Sequence, residues 1–388
     1  MTDSLTDVAR ALSVSPATLR RWVAEGIVPL RDGQWTPAAQ AQARIVARMR
    51  ARGHSLEQLR AAAKEGRLAY GYLEDLFPGE EEAQYSLEDV SRETGLEPEL
   101  IRRLWATAGF PAGSLDSLSD DDLELLRGLS SVVNAGLPLV AFLQIVRVYG
   151  QALAAIADAE VKLFHMYVHE PMIRDGAPVL DIAEELSDLA SELLPLSGPI
   201  MEAIHQRYLR HFLEQDVVGH LEVAAEESPL GRMRVAIAFA DLAGYTRLTE
   251  EVGEEQAVEV VERFVAQVTE TLPDDARVIK TIGDEVMVVG ADPGALADWA
   301  VGFQELQTER PLPRIGLHAG SVLYRDGDYY GRAVNLASRV GARATGGEVL
   351  VTREVKAAAG RYLTFQPIGE VKLKGFGEAT ELFLALPK

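Results

Sequence analysis

Toward the C-terminal end, four stretches carry the clearest pattern of apolar and polar positions. Arg234-Val235-Ala236-Ile237-Ala238-Phe239-Ala240 is apolar and β-prone, which predicts a buried strand with Asp241 at its end. After Gly244-Tyr245-Thr246, helical periodicity runs through Val258, Val261, Phe264 and Val265, so strand, glycine turn and helix follow one another. Val278, Lys280 and Ile282 alternate with Ile279 and Thr281, and Gly283-Asp284 turns the chain into Val286-Met287-Val288-Val289, a β-hairpin. Asn335 and Arg339 are four apart and share one face of a helix.

The N-terminal half is patterned differently. Ser4-Leu5-Thr6-Asp7-Val8 matches Ser86-Leu87-Glu88-Asp89-Val90 at an offset of 82, as do Pro16 with Pro98 and Leu19-Arg20-Arg21 with Ile101-Arg102-Arg103. With one inserted residue, Gly26 matches Gly109, Thr36 matches Ser119 and Gly53 matches Gly136. Each copy reads as helix, tight turn, helix, short wing-like loop, then two more helices. That plan resembles the winged helix-turn-helix domains of MerR-type regulators. Ala135 to Ile156 is the most apolar run, but Gln144, Arg147 and Gln151 interrupt it, so no membrane span is expected. The Leu- and Ala-rich helix from Leu137 to Leu163 could line a fatty-acid pocket for a lipid effector, and core packing explains it equally well.

Composition narrows the class. A chain of 388 residues predicts two or three domains, and 47% hydrophobic content suits globular cores. Zero cysteines exclude disulfides, thiolate metal sites and cysteine catalysis. Met1-Thr2-Asp3-Ser4 lacks the basic-then-apolar pattern of a signal sequence, and a cytoplasmic protein is expected. Net charge is −21, yet residues 1–76 hold 11 Lys and Arg against 8 Asp and Glu, a net of +3. Arg20, Arg21 and Trp22 fall on the expected recognition helix, and Arg44, Arg48, Arg50 and Arg52 follow, a set that could meet DNA phosphates. The excess is thin, and Asp120, Asp121, Asp122 and Glu124 crowd the second copy, so a protein-interaction scaffold is favoured over DNA. Five of the seven histidines, His165, His169, His205, His211 and His220, lie between the repeats and the C-terminal region. Solvated or capping roles are the default for them. A metal site would need Glu170 or His205 as third ligand, and a proton switch is the sharper alternative.

The C-terminal region carries the chemistry. Asp241 and Asp284 are 43 positions apart, at a strand end and a hairpin tip. Each has a plain role, helix cap or turn residue. Held together, however, two carboxylates repel and one pKa rises unless cations lie between them, which two divalent ions would do. A lysine such as Lys280 can donate to adenine N1 and a carboxylate such as Asp328 can accept from the exocyclic amine, whereas guanine has the opposite pattern there. Asn335 and Arg339 in one phosphate site would stabilise charge at a pentavalent phosphorus. Lys374 alternates with Lys372 in Val371-Lys372-Leu373-Lys374-Gly375-Phe376-Gly377.

Phe239-Ala240-Asp241-Leu242-Ala243-Gly244-Tyr245-Thr246, Lys280-Thr281-Ile282-Gly283-Asp284-Glu285-Val286-Met287 and Asp328-Tyr329-Tyr330-Gly331-Arg332-Ala333-Val334-Asn335-Leu336-Ala337-Ser338-Arg339 together resemble the catalytic domain of class III nucleotide cyclases. The resemblance covers about 155 residues, from near Arg234 to Pro387, and all seven chemical positions hold the expected types. Tyr245 stands where Phe is usual and Leu242 where Ile is usual. The short connection 320–327 looks like the short-arm bacterial subgroup, with Arg325 a further phosphate candidate.

The resemblance implies an α/β catalytic domain on a ferredoxin-like core, behind an all-α N-terminal half. The implied division is 1–78 and 84–195 as helix-turn-helix-like units, 196–230 as helical linker and 231–388 as cyclase domain. It also implies an ATP-dependent adenylate cyclase with two Mg²⁺ or Mn²⁺ ions per site, acting as a homodimer. Asp241, Asp284 and the Leu242 carbonyl would hold metal in one chain. Lys280 and Asp328 would read the base, Lys374 would grip phosphate, and Asn335 and Arg339 would serve catalysis from the other chain. Gly244 and Tyr245 would line the phosphate turn. Some short-arm cyclases have helical N-terminal domains that respond to pH or lipid, and this arrangement resembles theirs. The competing reading is a DNA-binding transcription regulator with a cyclase-like nucleotide sensor.

Overall fold

The computed structural model describes residues 4–65, 68, 85–175, 179–222, 232–359 and 363–388, in two compact units, Met1–Gln206 and Arg207–Lys388.

The first unit is helical. Its helices are α1 (Leu5–Ala11), α2 (Pro16–Ala24), α3 (Pro37–Ala51) and α4 (Leu56–Lys64), then α5 (Leu87–Thr94), α6 (Pro98–Ala108), α7 (Asp120–Asn134) and α8 (Leu139–Phe164). Hydroxyl side chains of Ser4, Ser15, Thr36 and Ser55 cap α1 to α4, and Ser86 and Ser119 cap α5 and α7, each accepting from a backbone N–H that the first turn leaves unpaired. Leu19, Trp22, Ile27 and Val46 fill the core of α1 to α4, and Ile101, Leu104, Leu118 and Leu126 fill that of α5 to α8. A π turn at His165–His169 joins α8 to α9 (Glu170–Arg174), and α10 (Val179–Glu222) follows. Ala38 and Ala41 of α3 pack with Ile182 and Leu186 of α10, beside Phe164, Val168 and Met172. The span Leu139–Arg174 is long and apolar enough, by length and composition, to cross a membrane, and its apolar stretch is 17% buried. The expected linker, 196–230, falls partly on α10 and partly outside the described residues.

The second unit takes in the C-terminal part of α10 and then an eight-stranded sheet. After β1 (Arg232–Leu242) come α11 (Tyr245–Val252), α12 (Glu254–Thr271), β2 (Ala276–Ile282), β3 (Glu285–Gly290), α13 (Pro293–Leu306) and β4 (Pro313–Arg325). Then follow β5 (Asp328–Tyr330), α14 (Arg332–Gly341), β6 (Val349–Thr352), α15 (Arg353–Ala359), β7 (Leu363–Val371) and β8 (Thr380–Pro387). The order is β2-β3-β1-β4-β6-β8-β7, with β5 hairpinned onto β4; among the described residues only β4 and β6 pair in parallel. Within it, β1, β2, β3 and β4 with their crossing helices make the βαββαβ plan of a ferredoxin-like core.

β1 is buried on both faces. Ala236, Ala238 and Ala240 meet α12, α13 and α15, whereas Val235, Ile237 and Phe239 meet Ala333 and Ala337 of α14. The expected continuous helix after Gly244 is broken: Gly253, at φ 88°, ends α11 and starts α12. The apolar spacing carries on across the break, which is why periodicity alone reads one segment.

α14 lies on β4 with no side chain between them at one point, because a Cβ on Gly316 would overlap the Gly341 backbone. Gly316→Ala is therefore expected to cost about 1–3 kcal/mol. The cost would be read as a lower urea midpoint of the full chain with unchanged slope, and an unshifted midpoint would contradict the close approach.

Candidate active site

Cross-strand register decides which side chains meet. Asp241 stands opposite Glu285 of β3 on one side and opposite Arg314 of β4 on the other. It shares the parity of Val235, Ile237 and Phe239, so it faces the α14 side of the sheet. The Arg314 guanidinium grips it, Nε donating to Oδ2 at 2.7 Å and Nη2 donating to the same oxygen. Asp241 does not cap a helix: the cap of α11 is Gly244, left-handed at φ 89°.

Asp284, at the hairpin tip after Gly283, shares a hydrogen bond with Asp241. Burial first, then that bond and the Asp241 charge, push the Asp284 carboxyl up to about 7. Burial and the Asp241 charge also raise the Glu285 carboxyl, against the pull of Arg314 and Arg339. Three acids converge here, and Arg314 and Arg339 answer them. Among the described residues no group of three or more His, Cys, Asp or Glu forms a ready metal cage. Two carboxylates that repel each other nevertheless suit Mg²⁺ or Mn²⁺, hard ions that commonly take one or two carboxylates and complete their shell with phosphate oxygens and water. The Leu242 side chain is buried, so only its backbone could join them.

The second cluster sits on β2 and β5. Lys280 Nζ pairs with Asp328 Oδ2 across 48 residues of sequence, and Asp328 Oδ1 accepts from the Tyr329 N–H at 2.8 Å. The strict alternation expected through β2 is interrupted. Val278 stands opposite Val288 and Lys280 opposite Met287, a bulge at Ile279. Lys280 is thereby turned to the face of Met287, the α14 face, while Val278 packs toward α12 and α13. Sequence alternation put those two residues on one face; the extra residue separates them.

Asn335 and Arg339 lie on the exposed side of α14, whose opposite side buries Ala333, Ala337 and Val340. Lys374 is exposed next to buried Leu373, which packs with Leu336 and Val340 of α14, and the Arg332 guanidinium covers the Phe376 ring at 5.4 Å. The loop of Lys374 is therefore fastened to the helix of Asn335 and Arg339. Among the described residues these three side chains make no hydrogen bond or ion pair. Tyr245 is half-buried against the main core, and Arg325 pairs with Asp326 at 3.6 Å.

Three participants were missed from sequence: Arg314, Arg277 and Tyr329. Arg277 Nη2 donates to the Tyr329 hydroxyl at 2.5 Å. Arg314 is signalled only by its register opposite Asp241, and Arg277 only through the bulge. The arginine-rich first segment is internally engaged: Arg21 and Arg60 both pair with Glu25, and Arg31 pairs with Asp181 and Glu184.

Two family models match the chain, an adenylate cyclase regulatory domain over residues 23–213 and an adenylate and guanylate cyclase catalytic domain over residues 231–385. The chain is 31% identical over 331 residues, 83% of its length and 81% of the relative's, to a protein named pH-sensitive adenylate cyclase from Mycobacterium tuberculosis. It is 32% identical over 285 residues, 72% of each chain, to an adenylate cyclase from Streptomyces coelicolor. Among solved structures, the adenylyl cyclase CyaB of P. aeruginosa is similar at 20% identity and a TM-score of 0.38, covering 40% of this chain and 95% of that one.

Proposed function

The chain belongs to the adenylate cyclases that carry an N-terminal regulatory domain before the catalytic one, and from that premise we propose that it makes 3′,5′-cyclic AMP and pyrophosphate from ATP at a site shared by two identical chains. The ribose 3′-oxygen attacks the α-phosphorus, its proton leaves to solvent, and the bond from that phosphorus to the β-phosphate bridging oxygen breaks. Two divalent ions, when bound, supply charge neutralisation at the attacking oxygen and at the phosphates.

This chain's own residues do the rest. Asp241, Asp284 and the Leu242 carbonyl of one chain would hold the ions. Arg314, held at Asp241, would add its positive charge beside the phosphates. Lys280 donates to adenine N1 and Asp328 accepts from the exocyclic amine, and Asn335, Arg339 and Lys374 come from the same chain as that pair. Gly244 leaves the backbone at the β1–α11 turn open to phosphate, with Tyr245 packed beneath. The exposed, unengaged state of Asn335, Arg339 and Lys374 supports a site completed by a second copy, and exposed Ile282 beside Asp284 supports an apolar contact there.

The observation that carries the choice of adenine is the Lys280–Asp328 pair. The test is the ratio of kcat/KM for ATP to that for GTP, measured on the full chain with Mn²⁺. Lys280→Ala is expected to lower it about 10- to 100-fold, the worth of one charged hydrogen bond. An unchanged ratio would remove the base-reading role.

The N-terminal half belongs to the same reading as the controlling part, with 1–78 and 84–195 as two helix-turn-helix-like copies, 196–230 as linker and 231–388 as catalytic domain. Matching serine caps on α1 and α5, and prolines opening α2 and α6, support the copies. Acid is the favoured signal. The M. tuberculosis relative is named for pH sensitivity, and here His169 is buried with its Nδ1 at 3.0 Å from that of His165. Exposed Leu153, Val161 and Leu163 on α8 are the support for a lipid effector. The pairing of Arg21, on the expected recognition helix, with Glu25 supports a scaffold over DNA contact.

A further inference from the structure

The base-reading pair is tied to more than the base. The bulge at Ile279 puts Arg277 and Lys280, three apart in sequence, on the same face of β2: Arg277 stands opposite Val289 and Lys280 opposite Met287, and both partners face α14. On β5, Asp328 and Tyr329 are neighbours. Two ties therefore run in parallel between β2 and β5, Lys280 to Asp328 and Arg277 to Tyr329. These strands are not hydrogen-bonded to each other, since β3, β1 and β4 lie between them in the sheet. Side chains tie the two strands directly where the base would be read.

The Arg277 tie is built to hold. Tyr329 is 4% exposed, and burial raises its phenol, so its hydroxyl stays protonated and neutral through the working pH range. The Arg277 guanidinium lies 5.9 Å from the Tyr329 ring centre and 5.0 Å from that of Phe212. Both distances are within the reach of a cation–π attraction. Phe212 belongs to α10, the long helix that precedes the catalytic sheet, and Tyr208 stacks on it at 5.9 Å. One guanidinium thus touches the helix on one side and the neighbour of Asp328 on the other.

We propose that Arg277 is a positioning residue that couples the seating of α10, through Phe212, to the geometry of the Lys280–Asp328 pair, and so makes nucleotide selectivity depend on that helix. The chain of contacts is Phe212 to Arg277, Arg277 to the Tyr329 hydroxyl, and the Tyr329 N–H to Asp328. When α10 moves off Arg277, the guanidinium loses one wall, Tyr329 loses a fixed donor and Asp328 loses its alignment with Lys280. The inference rests on the base-reading role of Lys280 and Asp328.

The experiment is the ATP-to-GTP ratio of kcat/KM on full-length variants, with thermal unfolding in parallel. Arg277→Gln is expected to lower the ratio about tenfold, chiefly through a higher KM for ATP, and Arg277→Lys, which keeps charge but not the planar fork, to recover part of it. Phe212→Leu should lower it about threefold. The double variant Phe212→Leu with Arg277→Gln should be no worse than Arg277→Gln alone, as for two residues on one path. If Arg277→Gln misfolds, Tyr329→Phe, which keeps the ring and removes the acceptor, is read in the same way. A ratio unmoved by Arg277→Gln while Lys280→Ala collapses it would overturn the coupling and leave the base reading standing. A ratio unmoved by Lys280→Ala would overturn both. Independent, multiplying effects of Phe212→Leu and Arg277→Gln would overturn the link to α10.

Discussion

Asp241→Asn and Asp284→Asn are each expected to lose about 10³-fold or more of cyclic AMP formation while the full chain keeps its helical and sheet signals. The size follows from the ions that the carboxylates are proposed to hold. A cation at the reacting phosphate supplies several kcal/mol of transition-state stabilisation, and an amide of the same shape offers it no charge. Asn is the right replacement because Asp241 is locked between Glu285 and Arg314, where a smaller residue would leave a gap as well as remove a charge. Loss of the Asp241 charge also relieves Asp284, whose carboxyl is pushed up to about 7 first by burial and then by Asp241. The same change takes the carboxylate from Arg314, so thermal unfolding of the metal-free variants is measured beside the activity to show that they stay folded. Turnover within tenfold of the parent in either variant would end the two-ion assignment.

These two aspartates could be read from sequence because local chemistry marks them. One closes an apolar strand and the other sits in a glycine turn, and both contexts survive into the fold as expected. Lys280, Asp328, Asn335, Arg339 and Lys374 are likewise marked by the short stretches around them, and their roles are those proposed above. What escaped was set by strand register and by a bulge, which no short stretch records. Arg314 lies 73 residues from Asp241 and meets it through strand register. The bulge at Ile279 cannot be seen in a run that alternates acceptably without it, yet it decides which face Lys280 occupies. Gly253 splits α11 from α12 with no change in apolar spacing. In the N-terminal half Arg20, Arg21, Arg44, Arg48, Arg50 and Arg52 suggested phosphate contacts, but Arg21 pairs with Glu25 and Arg50 donates to the His54 carbonyl, partners that composition does not disclose.

Mixing two dead chains should restore activity. An Asp241→Asn chain lacks a proposed ion ligand but carries Asn335, Arg339, Lys374 and the Lys280–Asp328 pair; an Arg339→Ala chain has the reverse defect. In a two-fold dimer each site takes one set from each chain, so a heterodimer has one site with both lesions and one with neither. Random pairing of equal amounts makes half the dimers mixed, and half their sites intact, so about one quarter of parental activity is expected. Purification of the mixed species through two different tags should raise that to about one half. The geometry favours this outcome, because Asn335 and Arg339 lie on the exposed side of α14 with no hydrogen-bond or ion-pair partner among the described residues, as expected of groups that act across an interface. A tagged heterodimer as silent as its parents would mean that one chain holds the whole site. Arg339 would then have to act beside Glu285, whose carboxyl it already influences within its own chain, rather than in the partner's site.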